Sequence, residues 1–219
     1  MKPAPKPIVS ARKAPRQKRS KQLVEDILEA AIRVLSHEGA KRFTTARVAE
    51  TAGVSVGSLY QYFPNKEAIL FRLQTDEWKR TGELLHSILT DMSRPPLERL
   101  RATVQAFFLS EWEEAALRVA LGDAAPSYRK APEVKDHRRE GRERAQRFMA
   151  ELLPDLAPKE RRFAADVVMT TMSVMGKKVS EQSRSKAEVE AWAQAMGEML
   201  CAYLSSPAYD RRARGRTIS

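Results

Sequence analysis

The chain has 219 residues, 42% of them hydrophobic, with 39 Lys and Arg against 28 Asp and Glu and a formal charge of +11. That apolar share is enough to bury a substantial core, which excludes a disordered polymer. No run of about eighteen apolar residues exists, which argues against a membrane-spanning helix and a membrane partner. The start of the chain lacks the apolar stretch of a secretion signal, so the expected location is the cytoplasm.

The charge is unevenly spread. Residues 1 to 21 hold Lys2, Lys6, Arg12, Lys13, Arg16, Lys18, Arg19 and Lys21 with no acid, giving +8, and the last ten residues give +3, so residues 22 to 209 are formally neutral. Attraction to a polyanion must therefore come from the ends and from local geometry. Pro3, Pro5, Pro7 and Pro15 prevent a continuous helix over residues 1 to 20, which read as a disordered basic arm suited to phosphates or a minor groove. The same composition suits a solubilising tail. Residues 207 to 219 form a second basic tail.

With only nine glycines and little strand-like alternation, the long periodic stretches of Ala, Leu, Glu, Arg and Lys predict an all-α chain. From Lys21 to Glu38, Leu23, Val24, Ile27, Leu28, Ala31, Val34 and Leu35 follow a 3.6-residue period that Gly39 closes. Phe43 reads as a core aromatic. Thr44 is suited to cap a short helix with apolar positions Val48, Ala49 and Ala52, ending at Gly53 in a left-handed turn, and Ser55 to cap a second helix. Ala49 permits a close crossing, and Val54 and Leu59 supply the seam, so residues 21 to 66 predict a helix-turn-helix domain.

The outer face of the second short helix is assigned Val56, Gly57, Ser58, Tyr60, Gln61 and Tyr62. These are small, polar or aromatic-hydroxyl groups rather than a Lys/Glu mixture. Small residues admit the helix to base edges, Gln61 offers a donor and an acceptor, and tyrosine hydroxyls reach phosphates. Pro64 ends the helix, Asn65 caps the next, and Lys66 stands where one more phosphate would bind.

With the ending Tyr60-x-Tyr62-Phe63-x-Asn65-Lys66-Glu67, the segment from Leu23 to Phe71 resembles the TetR family. That resemblance implies a dimeric, all-helical bacterial transcription regulator, usually a repressor, whose second domain binds a small molecule that changes DNA affinity. It implies double-stranded DNA with a pseudo-palindromic operator as partner. Carried over position by position, Thr45, Arg47, Ser55, Ser58, Tyr60, Tyr62 and Lys66 contact phosphate or sugar, beside the Thr44 cap, while Val56, Gly57, Ser58 and Gln61 face bases. It also makes the helix from Lys66 through Ile88 the one that transmits ligand state; Gly82 in its interior suits a loosening of that helix or, the favoured reading, simple close packing.

A second domain, expected to bind the effector and dimerise, occupies residues 67 to 206. Ser93-Arg94-Pro95-Pro96 marks a break; Leu97, Leu100, Val104, Phe107 and Phe108 then share a helix face, and the helix continues to Leu121 before a loop over 122 to 132. Pro132 and Pro158 open two more helices, ending near Leu153 and Gln182, and a last helix spans 186 to 205. Val189, Trp192, Met196, Met199 and Tyr203 form an apolar stripe there, and Phe163, Val167, Thr170, Thr171, Val174 and Lys178 line the preceding helix, with Ala164 and Gly176 allowing close approach. Together these read as half of a four-helix seam between two copies, for which Phe163, Val167, Thr171, Val174, Trp192, Met196, Met199 and Tyr203 are the candidates.

Phe107, Phe108, Trp112, Phe148, Met149, Met169, Met172 and Met175 are candidate pocket residues that equally suit a core. Glu111, Glu113, Glu114, His137 and Arg138 read as solvent-facing, and the arginine-rich helix from Lys135 to Arg147 as a solvated charged surface. Three scattered histidines and a lone cysteine, Cys201, that reads as a buried structural thiol, give no catalytic or metal-ligand pattern, so no enzyme, cofactor or metal is expected. Sequence-specific regulation, a DNA-architectural or nucleoid-binding dimer without effector, and a ligand carrier that does not bind DNA are the function classes to separate.

Overall fold

A computed structural model describes residues 18–121, 131–182 and 185–206. The described residues carry helices and no strand: α1 (Lys18–Glu38), a 3-10 turn (Ala40–Arg42), α2 (Thr45–Ala52), α3 (Val56–Tyr62), α4 (Lys66–Leu89), α5 (Pro96–Glu113), α6 (Ala115–Leu121), α7 (Pro132–Leu152), α8 (Pro158–Glu181) and α9 (Lys186–Leu204). Most of the basic arm, the basic tail and nearly all of the 122–132 loop lie outside the described residues.

Two compact units emerge. The first takes the described residues up to Trp78 and those of the span 116–135; the second takes Lys79–Ala115 and the described residues from Asp136 onward. The first unit thus extends past Lys66, because Ala68, Ile69, Leu70 and Leu73 at the start of α4 belong to its core. That core joins Ile27, Ala31 and Val34 of α1 to Phe43, Val48, Ala49 and Leu59, all at most 3% exposed. Each fully buried Leu, Ile or Phe stabilises by roughly 1.5–3 kcal/mol, so α3, only seven residues long, is held by packing rather than by its own propensity.

In the second unit α5 packs against both α8 and α9. Leu100, Val104 and Phe108 of α5 meet Ala164, Val168 and Met172 of α8 and Val189, Ala193, Met196 and Leu200 of α9. Cys201 is buried there, its thiol 3.5 Å from the Leu97 carbonyl and pushed up in pKa by that burial. The helix expected to continue to Leu121 is instead interrupted at Glu114, which caps α5 before α6 begins. Glu114 also departs from the solvent-facing assignment: it is 6% exposed, with Thr81 Oγ1 at 3.5 Å from its carboxylate.

Among the described residues Arg99 is the largest fully buried side chain, 1% exposed. Its Nη1 donates to the Leu89 carbonyl at 2.5 Å and to Glu151 Oε2 at 3.2 Å, Nη2 donates to Glu151 Oε1, and the guanidinium stands 5.6 Å from the centre of the Phe148 ring. This one side chain joins the end of α4 and the C-terminal turn of α7 to α5.

Candidate nucleic-acid interface

The helix-turn-helix is fixed by short-range hydrogen bonds from residues at its ends. Thr44 Oγ1 accepts from Arg47 N at 3.2 Å, Ser55 Oγ accepts from Ser58 N at 3.0 Å, and Asn65 Oδ1 accepts from Ala68 N at 2.8 Å. Each cap satisfies one amide that a helix start leaves open, worth about 1 kcal/mol. Gly53 closes α2 at φ +68°, a left-handed conformation that strains any residue with a side chain. These residues fix where α2, α3 and α4 start and where α2 ends.

On the outer side of α3 stand Val56, Gly57, Tyr60 and Gln61, all exposed, with Ser58 half-buried. A β-carbon at Gly57 would meet nothing nearer than Ser55 Oγ at 3.8 Å, so the fold does not demand glycine there. Its bareness is instead available to a partner that must approach the backbone closely. Tyr60, 41% exposed, brings its hydroxyl to 3.1 Å from Thr45 Oγ1 of α2. Two hydroxyls from different helices converge there. Arg47, on the same helix as Thr45, is ion-paired to Glu38 at 3.6 Å and Glu50 at 3.5 Å. The Glu50 pair is exposed and the Glu38 pair partly so, and such pairs contribute little, so the guanidinium can exchange them for a phosphate at small cost. Lys66 is exposed on the first turn of α4.

Tyr62 departs from the outer-face assignment. It is 6% exposed and belongs to the core of the first unit. Residues three apart on a helix lie about 60° apart around its axis, so Tyr62 shares the inward side with fully buried Leu59.

In the second unit the aromatic and methionine candidates mostly pack as core. Phe108, Phe148, Met149 and Met172 are buried, Phe107, Trp112 and Met175 pack against them, and Met169 is half-buried. A separate groove of about 570 Å³, flanked by α5 and α9, is lined by Arg101, Gln105, Glu190, Gln194, Gly197 and Glu198, none of them a sequence candidate. The expected seam also divides. Met196 is buried within its own unit at 6% exposure, whereas Trp192 and Met199, seven residues apart, are 37% and 51% exposed. A row through positions 189, 193, 196 and 200 faces the core, leaving the other row outward. On α8, Phe163 and Val174 are 60% and 59% exposed, Val167 and Thr171 half-buried. Tyr203 is half-buried, and packs against the core cluster.

Two family descriptions match the chain. Residues 27–73 match the family described as bacterial regulatory proteins, tetR family, and residues 95–206, more than half of the chain, match the tetracyclin repressor-like C-terminal domain. The chain belongs to the TetR family. It is thus a DNA-binding transcription regulator, and not an enzyme. Among individual relatives, the TetR chain is 33% identical over 106 residues to the nucleoid occlusion factor SlmA of Vibrio atlanticus, covering 46% of this chain and 52% of that protein. It spans about half the length of the curated relatives it matches. The fatty acid degradation regulator FadR of Bacillus halodurans superposes with a TM-score of 0.62 at 18% identity, covering 84% of this chain and 96% of that one. FadR of Bacillus subtilis, solved with stearoyl-CoA, gives 0.60 at 18%, covering 81% and 97%. Both share the TetR fold. No helix among the described residues is long and apolar enough to cross a membrane.

Sequence reading missed Arg99, whose partner Glu151 lies 52 positions away. It also assigned no partner to Gly82, which lies against Arg144 of α7.

Proposed function

We propose that this TetR-family chain is a homodimeric, sequence-specific repressor that a small-molecule effector releases from a pseudo-palindromic operator. The convergence of the Thr45 and Tyr60 hydroxyls beside the open face of Val56, Gly57 and Gln61 is the observation that carries the reading. It offers neighbouring donors to a phosphate next to a surface shallow enough for base edges. Thr45, Arg47, Ser55, Ser58, Tyr60 and Lys66 hold the backbone; Val56, Gly57, Ser58 and Gln61 read bases. Tyr62 acts mainly as the inner support of α3.

The exposed apolar rows of α8 and α9 support pairing of two copies. Four large apolar side chains, Phe163, Val174, Trp192 and Met199, stand more than a third exposed on these two helices, the kind of patch that marks an interface. Two recognition helices held about one DNA turn apart add their free energies on two half-sites. The effector enters the second unit, where the methionines of α8 can adapt to it.

Lys66→Ala is expected to weaken binding of every duplex tested to a similar degree and to reduce the slope of log affinity against log salt by about 1 per protomer. Gln61→Ala is expected to cost about 1–3 kcal/mol at particular base pairs and little elsewhere. Titration of single-base operator variants by fluorescence anisotropy separates the two patterns; affinities equal to the parent's in both variants would refute the assignment.

The similarity to a nucleoid occlusion factor supports a second reading, a DNA-architectural dimer without effector. Such a protein would bind with weak sequence preference and no response to small molecules. Binding of a defined operator that changes with an effector rules it out.

A further inference from the structure

Within the second unit α5 and α9 lie side by side and run in opposite directions. The Cys201 thiol meets the Leu97 carbonyl, and one turn earlier on α9 a β-carbon built on Gly197 would stand 3.6 Å from Arg101 Cα, one turn later on α5. The groove of about 570 Å³ between them is lined by Arg101 and Gln105 of α5 and by Glu190, Gln194 and Glu198 of α9. Residues four apart share a helix face, so each helix turns a coherent row toward the groove. Small residues, Gly197 and Ala191 among them, leave space between the rows.

The charges are placed unevenly. Arg101 stands at the Gly197 end, beside which Glu198 follows in sequence, whereas Glu190 lies about 10 Å farther along α9. Glu198 Oε1 accepts from Gln194 Nε2 at 3.1 Å, and neither Arg101 nor Glu190 forms an ion pair among the described residues. One cation and two carboxylates give the groove a formal charge of −1. A dicarboxylate would meet two like charges there, and a diamine would leave Arg101 unmatched.

We infer that this groove binds a basic amino acid. The ligand carboxylate meets the Arg101 guanidinium, whose fork matches a carboxylate, and the α-ammonium meets Glu198. The cationic side chain runs past the small residues to Glu190, between the amides of Gln105 and Gln194. At about 100° per residue, the groove-lining side of α9 lies roughly 160° around the axis from Trp192 and Met199. Pairing of two copies through those side chains therefore leaves the groove open. It is distinct from the effector site proposed beside the α8 methionines, and its test needs no DNA.

Arg101 and Glu198 are exposed and Glu190 is half-buried, so the affinity is modest and falls as salt rises. Isothermal titration calorimetry of the full chain with L-lysine or L-arginine at low salt is expected to give one site per protomer, with a dissociation constant of about 1 mM or lower. Cadaverine, which lacks the carboxylate, L-norleucine, which lacks the side-chain cation, and L-glutamate bind about tenfold more weakly or worse. Arg101→Gln and Glu190→Gln each weaken L-lysine about fivefold or more, and Ala191→Phe, which fills the groove without changing a charge, abolishes binding. Melting curves of the same samples separate lost binding from unfolding. No saturable heat at about 10 mM of either basic amino acid, cadaverine or L-glutamate binding as well as L-lysine, unchanged affinity in both charge variants, or binding that survives Ala191→Phe overturns the inference.

Discussion

Replacing Phe163 and Met199 together by aspartate is expected to give a folded monomer that binds the operator at least about a hundredfold more weakly, a loss of roughly 2.7 kcal/mol. Both side chains are more than half exposed in the single chain, so the change removes little of its core. In a dimer the same positions would lie in an apolar seam, where an unpaired carboxylate costs several kcal/mol. A stable interface buries about 1,200–2,000 Å², too little excess to absorb two such penalties from each copy. The monomer then reads one half-site and loses the free energy of the other. Sedimentation velocity reports the assembly state and anisotropy at fixed salt the affinity. Ile32→Asp is the control, because Ile32 is 46% exposed on α1 in the first unit. A dimeric double variant with parental affinity would show that α8 and α9 do not form the seam.

Arg99→Ala is expected to destabilise the second unit by about 3 kcal/mol, and Arg99→Met by about 1 kcal/mol. Alanine removes the hydrogen bond that the last residue of α4, Leu89, receives at its carbonyl, the double contact to Glu151 and the face of Phe148, and leaves a cavity in their place. Methionine keeps most of the volume and relieves two costs: the desolvated charge, and an Nε–H that finds no acceptor among the described residues. Glu151 is 37% exposed, so its carboxylate can turn to water in either variant, which limits the loss. Urea unfolding followed by circular dichroism should rank the parent above methionine and methionine above alanine. An alanine variant as stable as the parent would mean that the bonds only offset the cost of burying the charge.

The parts of the fold legible in the sequence are those written locally. Thr44, Ser55 and Asn65 cap the helices expected of them, Gly53 adopts the positive φ its place suggested, and Pro132 and Pro158 open helices at the first position. Such features depend on a few neighbouring residues. Which side of a short helix faces inward depends on the neighbouring helices as well, and α3, with seven residues, offers too few apolar positions to fix it. Tyr62 was misplaced for that reason. On α9 the stripe was real but broader than one face, and only the packing of α5 and α8 decided that Met196 turns inward while Met199 does not. The contacts of Arg99 with Glu151 and of Arg144 with Gly82 span 52 and 62 positions, beyond anything periodicity can register. The break at Glu114 carries neither glycine nor proline, so nothing in its neighbours announced it. The open face of α3 was legible because its composition breaks the pattern of a solvated helix.

Selection of genomic DNA fragments by the purified full chain, followed by footprinting of the recovered duplexes, tests the account at its centre. Two copies each presenting α3 predict a shared inverted repeat with two protected major-groove patches, centred about 10 base pairs or a multiple of that apart. Fragments with no common sequence, or a single protected patch at saturation, would contradict it.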